Sequence, residues 1–124
     1  MEFTYQQLLT LAQKKESETL EFKKSTGQLK RACETACAFL NGNRGSVLIG
    51  VADKGQLIGQ DVSDKTKREI GNELAKITPV PDIEVSQVTL PTSNIVIFIL
   101  HIPTDSTKKP YMYEIGRASC RERV

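Results

Sequence analysis

Five basic residues stand close together in the first half of the chain: Lys23, Lys24, Lys30, Arg31 and Arg44. Such a cluster neutralises phosphates and positions a nucleic-acid strand without reading its bases. The same residues also suit an ordinary solvated face. Aromatic residues make up 6% of the chain and Trp is absent, so unpaired bases have few rings to stack on. Recognition through backbone and shape is the better expectation. Cys33 and Cys37 are four apart, which on a helix turns both thiols to one side. No Cys or His pair stands near to complete a zinc site, so zinc is not expected and both are read as buried, reduced small hydrophobes. His101, the only histidine, interrupts an apolar run and is expected to serve packing. No Ser-His-Asp or Cys-His arrangement can be assembled around it. There is no G-x-x-x-x-G-K-[ST] loop, hence no recognisable ATP site.

These residues need a scaffold, and the pattern supplies one. Thr4 and Gln7 form a capping box ahead of a helix whose apolar face is Tyr5, Leu8, Leu9 and Ala12. Lys14 and Lys15 suit its end, where the helix dipole favours cations. Thr19–Lys23 alternates as a short strand, with Leu20 and Phe22 turned to the core and Glu21 turned away. A second helix carries Leu29, Ala32, Cys33, Ala36, Cys37 and Leu40 at helical spacing and stops at Asn41-Gly42-Asn43, residues suited to left-handed backbone. Ser46–Val51 reads as a strand buried on both faces, and Ala52-Asp53-Lys54-Gly55 as a turn into a strand at Gln56–Gly59. A third helix is expected from about Asp64 to Ile77, with Ile70, Leu74 and Ile77 inward and Pro79 and Pro81 ending it. Ile83–Leu90 and Ile95–Ile102 complete the series as strands, the second central because it is apolar throughout. The stripe of the second helix is expected to pack on the strands of Val47, Ile49, Ile97 and Ile99. The fold class is α+β, a mixed sheet with helices packed on it, in the order α-β-α-β-β-α-β-β.

Four segments in sequence carry a family resemblance. Glu16-Ser17-Glu18-Thr19-Leu20-Glu21-Phe22-Lys23 resembles the E-S-x-x-x-E-F-K signature of Schlafen-type Alba-like domains, and Ala38-Phe39-Leu40-Asn41 resembles their A-F-A-N. Gly45–Gly55 is similar to their G-G-x-L-x-I-G-V-x-D-x-G hairpin, with Ile58-Gly59 following, and Lys109-Pro110 is similar to the step before their last strand. The likeness runs from about Glu16 to Tyr113. It departs where the family has a Gly-Gly pair and this chain has Arg44-Gly45, which adds a cation able to contact phosphate.

The resemblance implies an Alba-like fold, a nucleic-acid partner (RNA or DNA), and a bacterial regulator type of protein in which a further C-terminal region follows. Some relatives cleave structured RNA with three carboxylates, and those positions correspond here to Glu16, Glu21 and Asp53. Such a trio would hold Mg²⁺ or Mn²⁺ against a phosphodiester, since hard cations take oxygen ligands. Read from the residues alone, Glu16 and Glu18 also suit solvated charge near a helix end, and Asp53 an Asx turn. Two functions follow: a non-catalytic nucleic-acid-binding module, and a divalent-metal-dependent endoribonuclease.

Length and charge bound both. At 124 residues there is room for one core, no apolar run reaches the roughly 18 residues of a membrane span, and no secretory signal is visible. A cytoplasmic protein is expected, and three cysteines do not make a disulfide framework. The run Glu114–Val124 back-translates to a string that resembles a sequencing adapter read in frame, so the domain is expected to span residues 1–113 as a fragment. Without that run the formal charge falls from +2 to 17 − 3 − (15 − 2) = +1. Global charge then decides nothing about a polyanionic partner; local arrangement must.

Overall fold

A computed structural model describes residues 3–42, 44–61, 64–91, 95–102 and 110–113. Residues 114–124, expected to be adapter-derived, lie outside them. Helix α1 is Tyr5–Gln13, started by the expected capping box: the Gln7 N–H donates to Thr4 Oγ1 at 3.2 Å, and the Thr4 N–H to Gln7 Oε1 at 2.8 Å. Lys15, at φ 64°, takes the left-handed conformation that closes the helix and turns the chain toward strand β1, Leu20–Lys23. A single 3₁₀ turn, Thr26–Gln28, leads into α2, Leu29–Asn41. Strand β2 is Gly45–Ile49, β3 is Gln60–Asp61, and α3 is Asp64–Leu74. Then come β4, Ile77–Thr78; β5, Glu84–Thr89; β6, Ile95–Ile102; and β7, Met112–Tyr113.

Five strands form one mixed sheet. β1 runs parallel to β2, β2 antiparallel to β6, and β5 antiparallel to the opposite edge of β6. The short β3 continues alongside β6 beyond the end of β2, pairing Gln60 with Val96 and Asp61 with Ile95. As its composition requires, β6 is central. β4 and β7 pair separately, Ile77 with Tyr113.

Helices cover both faces. α2 and α3 lie over Val47, Ile49, Val96, Phe98, Leu100 and Ile102, while α1 packs over Leu20, Phe22, Leu48, Ile97 and Ile99. The strands of the expected core are the right ones, but the parity on β6 differs: Ile97 and Ile99 face α1, not α2. A strand apolar at every position has no alternation to reveal which residues face which way. On α1, Leu8 and Ala12 are buried and Leu11 packs against the same cluster, a slightly rotated version of the expected face.

Three further local expectations changed. The hairpin turn forms at 52–55, yet its return limb makes only an isolated bridge, Val51 with Leu57, and regular pairing resumes at Gln60. There Gly59, at φ 70°, passes so close to β6 that a Cβ would lie 1.9 Å from Ile95 Cγ2. α3 ends at Leu74 after a tightened last turn, in which the Lys76 N–H reaches Glu73 O, and Ile77 is buried by pairing in β4 instead. α2 does stop at Asn41, but Gly42 has φ −111° and so is not itself left-handed. Asn41 is occupied otherwise: its Nδ2 donates to Tyr111 O at 2.9 Å and its Oδ1 accepts from the Tyr111 N–H at 2.5 Å. This buried side chain clamps residues 110–113 to the domain.

Cys33 is a free, buried thiol, pushed up to about 12 by burial and by the nearby Glu73 carboxylate. Cys37 is buried but disulfide-bonded, so the expectation of a reduced thiol holds for Cys33 alone. An odd cysteine count argues against a framework of bridges but leaves room for one. Among the described residues no helix is long and apolar enough to cross a membrane.

Candidate nucleic-acid interface

The site grows from the open edge of β1. The carbonyls of Thr19 and Lys23 bond toward β2 and its continuation, accepting from Ser46, Gly50 and Val51. The intervening Phe22 N–H therefore faces outward. Glu16, delivered by the left-handed turn at Lys15, caps it: Oε2 accepts from the Phe22 N–H at 3.1 Å. An edge strand left with free donors invites pairing by another chain, so this carboxylate also shields the sheet.

Glu21 stands on the same strand and points away from Leu20 and Phe22, as the alternation requires. Its carboxyl is held above the usual carboxylate range, first by burial and then by the neighbouring Glu16, partly offset by Lys23. Lys23 Nζ lies 3.3 Å from Glu21 Oε1, and its side chain is only 14% exposed. Glu16, Glu21 and Lys23 thus form one mixed group.

Asp53 is exposed in the turn 52–55. That turn reaches back to α1: Gly55, at φ 87°, sits where a Cβ would lie 2.4 Å from Ala12 O, four residues before Glu16. The structure therefore brings Asp53 to the same end of the sheet. Even so, among the described residues no three His, Cys, Asp or Glu side chains are arranged to hold a metal ion. The donor set expected for Mg²⁺ or Mn²⁺ has two members together, Glu16 and Glu21.

The five basic residues separate into two places. Lys23 and the exposed Lys24 end β1, and the exposed Lys30 and Arg31 open α2 directly behind. The junction is firm: the Lys24 N–H donates to Gln28 Oε1 at 2.9 Å, and Ser25 Oγ accepts from the Gly27 N–H at 3.1 Å. Arg44 lies elsewhere. Lys23 is aligned with Ile49 and Arg44 precedes Gly45, so the two are about 16 Å apart along the strands at ~3.3 Å per residue. Arg44 is exposed beside His101, at the far end from the carboxylates, and does not join the cluster.

Sequence reasoning missed two polar groups. The first is the bond between Glu73 and the Tyr113 hydroxyl, with Lys76 Nζ 3.1 Å from the other carboxylate oxygen. Burial works against the ionised form of Glu73, but Tyr113 and Lys76 prevail and hold the carboxyl below its ordinary range. The second is a row across three strands: Ser46 and Glu84 both align with His101, and Ser46 Oγ lies 2.8 Å from His101 Nδ1. Phe3 packs edge-on against the imidazole at 5.3 Å, and burial depresses its proton affinity. The row explains why a histidine is tolerated in β6. Only the register, which no sequence motif announces, puts these residues side by side.

A model of the family described as Schlafen, AlbA_2 matches residues 16–123. A search of curated proteins finds no match to the chain.

Proposed function

This chain belongs to the Schlafen AlbA_2 family, and on that premise we propose that it is a nucleic-acid-binding module that grips the sugar–phosphate backbone at the junction of β1 and α2. One observation carries the reading: Lys23, Lys24, Lys30 and Arg31 occupy one end of the sheet, on two elements tied together by the 25–28 turn. Cations fixed on rigid elements neutralise phosphates with little ordering cost, and they favour shape over sequence. In a longer parent protein such a module delivers a following region to nucleic acid. The test is binding of structured RNA and of duplex DNA across a salt series. A log-affinity that falls steeply with log salt supports the reading, and no binding at low salt to either polymer refutes it.

A second reading, a divalent-metal-dependent endoribonuclease using Glu16, Glu21 and Asp53, is favoured by the Glu16–Glu21 pairing, which adds to burial in raising the proton affinity of Glu21. Paired carboxylates that repel are relieved by a cation. Incubation with structured RNA and Mn²⁺, beside Glu21→Ala, separates the two. Cleavage that is lost in the variant while binding persists selects the enzyme. Binding without cleavage in the parent selects the module.

A further inference from the structure

We infer that the outer edge of β5 is an interface, which pairs antiparallel with β5 of a second copy of this chain about a two-fold axis at Gln87. The basic junction of β1 and α2 lies at the opposite edge of the sheet, so the inference stands apart from the nucleic-acid reading.

The hydrogen-bond phase of the sheet shows which groups this edge presents. The Leu90 N–H donates to Ile95 O at 2.9 Å, and these two residues continue the β5–β6 register beyond Thr89 and Val96. Bonded pairs alternate in an antiparallel ladder, so Val88, Ser86 and Glu84 bond inward to β6, while Thr89, Gln87 and Val85 turn N–H and C=O outward. The other side of the sheet gives the same phase. The Ser46 and Gly50 N–H groups donate to Thr19 and Lys23, which turns Val47 and Ile49 toward β6 and leaves Ile97, Ile99 and His101 to bond β5. Among the described residues β5 pairs only with β6, and Val85, Gln87 and Thr89 are all exposed, Val85 by 48%.

The two edges of the sheet are treated differently. On β1 the Glu16 carboxylate covers the outward Phe22 N–H. Along Glu84–Thr89 there is no Pro, Lys or Arg, and the outward-bonding residues carry no charge. A bare edge of this kind adds a strand. Beside it runs a groove of about 300 Å³, lined by Lys67, Ile70 and Gly71 of α3 and by Val85, Ser86, Gln87 and Phe98 of the sheet. A Cβ added at Gly71 would meet nothing within 4 Å, so that wall is open.

The register selects the occupant. Val85, Gln87 and Thr89 share the α3 face, since they pair with Leu100, Phe98 and Val96. A two-fold at Gln87 sets this residue against its own copy and Val85 against Thr89 of the second copy, each as a bonded pair. Three facing pairs with two bonds each give about six new hydrogen bonds. The side chains match as well: amide meets amide at the axis, and two β-branched residues meet on either side of it. The groove carries one cation and no carboxylate, so the neutral Gln87 and Thr89 of a second copy meet no like charge there. One short strand per copy puts the interface at the low end of specific interfaces, below about 1,200 Å², so the dimer should dissociate in the micromolar range.

The test is sedimentation velocity of the full chain from about 1 µM to about 1 mM, where the parent should pass from monomer to dimer. Gln87→Lys and Gln87→Glu each put like charges face to face across the axis, and each should weaken association about fivefold. Mixed in equal amounts, the two variants should form a heterodimer at least as tight as the parent dimer, because a register centred on residue 87 sets the opposite charges against each other. Gln87 is exposed and bonds outward, so both variants keep the β5–β6 ladder, and circular dichroism verifies that they fold. A parent that stays monomeric throughout overturns the inference. Unchanged association in either variant, or a mixture no tighter than the variants alone, overturns the two-fold at Gln87.

Discussion

Replacing Asn41 by Ala removes the clamp that holds residues 110–113, and its cost can be worked from the structure. Asn41 is 6% exposed and Tyr111 is fully buried. The substitution deletes two hydrogen bonds, at 2.9 and 2.5 Å, and strips partners from a buried backbone N–H and C=O. Each buried group so treated costs roughly 1–3 kcal/mol, so the pair costs about 2–6 kcal/mol. A domain of this size has roughly 5–15 kcal/mol in total, and the midpoint should fall on the order of 10 °C. Thermal and urea unfolding by circular dichroism measure the loss. Hydrogen exchange locates it: among the described residues β4 and β7 pair only with each other, so the amides of Ile77 and Tyr113 should lose protection before those of β6. Asn41→Asp should be worse than Asn41→Ala, because it substitutes a buried charge for the Nδ2 donor. A loss under about 1 kcal/mol in Asn41→Ala, or uniform loss of protection across the sheet, would refute the clamp.

Other perturbations have equally definite signs. The raised Glu21 pKa means that the unfolded chain releases its proton first, so stability falls as pH rises from the ordinary carboxylate value toward the folded one; Glu21→Gln should gain stability over the parent near neutrality and lose that advantage in acid, and a constant difference across pH would sink the argument. His101 has a lowered pKa, so its contribution is intact at neutral pH and is lost as pH falls below about 6.5 toward the folded value; urea midpoints of His101→Gln should show a shallower acid limb, and parallel limbs would contradict this. Gly59→Ala should cost about 2–5 kcal/mol, the sum of left-handed strain and a Cβ forced onto Ile95, and a midpoint within error of the parent would show that the hairpin simply shifts. Glu16→Ala should speed exchange of the Phe22 amide while leaving β6 protected, and unchanged exchange would mean that the edge is shielded by something else.

Much of this molecule follows from local chemistry. The capping box at Thr4, the amphipathic stripe of α2 and the continuous apolar run of β6 are each dictated by neighbours a few residues away, where helix period, pleat and side-chain capping act. The same locality placed Glu21 opposite Leu20 and Phe22 and put Asp53 in a turn. What the chain alone could not decide depends on contacts between distant segments. The parity of β6 is invisible because both faces are apolar. Ile77 fits the helical spacing of α3 but leaves it, because Tyr113, far along the chain, offers a strand partner. Asn41 looks like a helix stop, and its main work, the bond to Tyr111, spans 70 residues. Arg44 and Lys23 seem neighbours in a basic cluster, and the length of β2 holds them apart. The candidate site divides in the same way. Residue types and spacing nominated the carboxylates and the cations, while the register of β1 on β2 and the packing of α2 against α3 determined which of them share a surface, since only the folded chain sets distances between side chains on different elements.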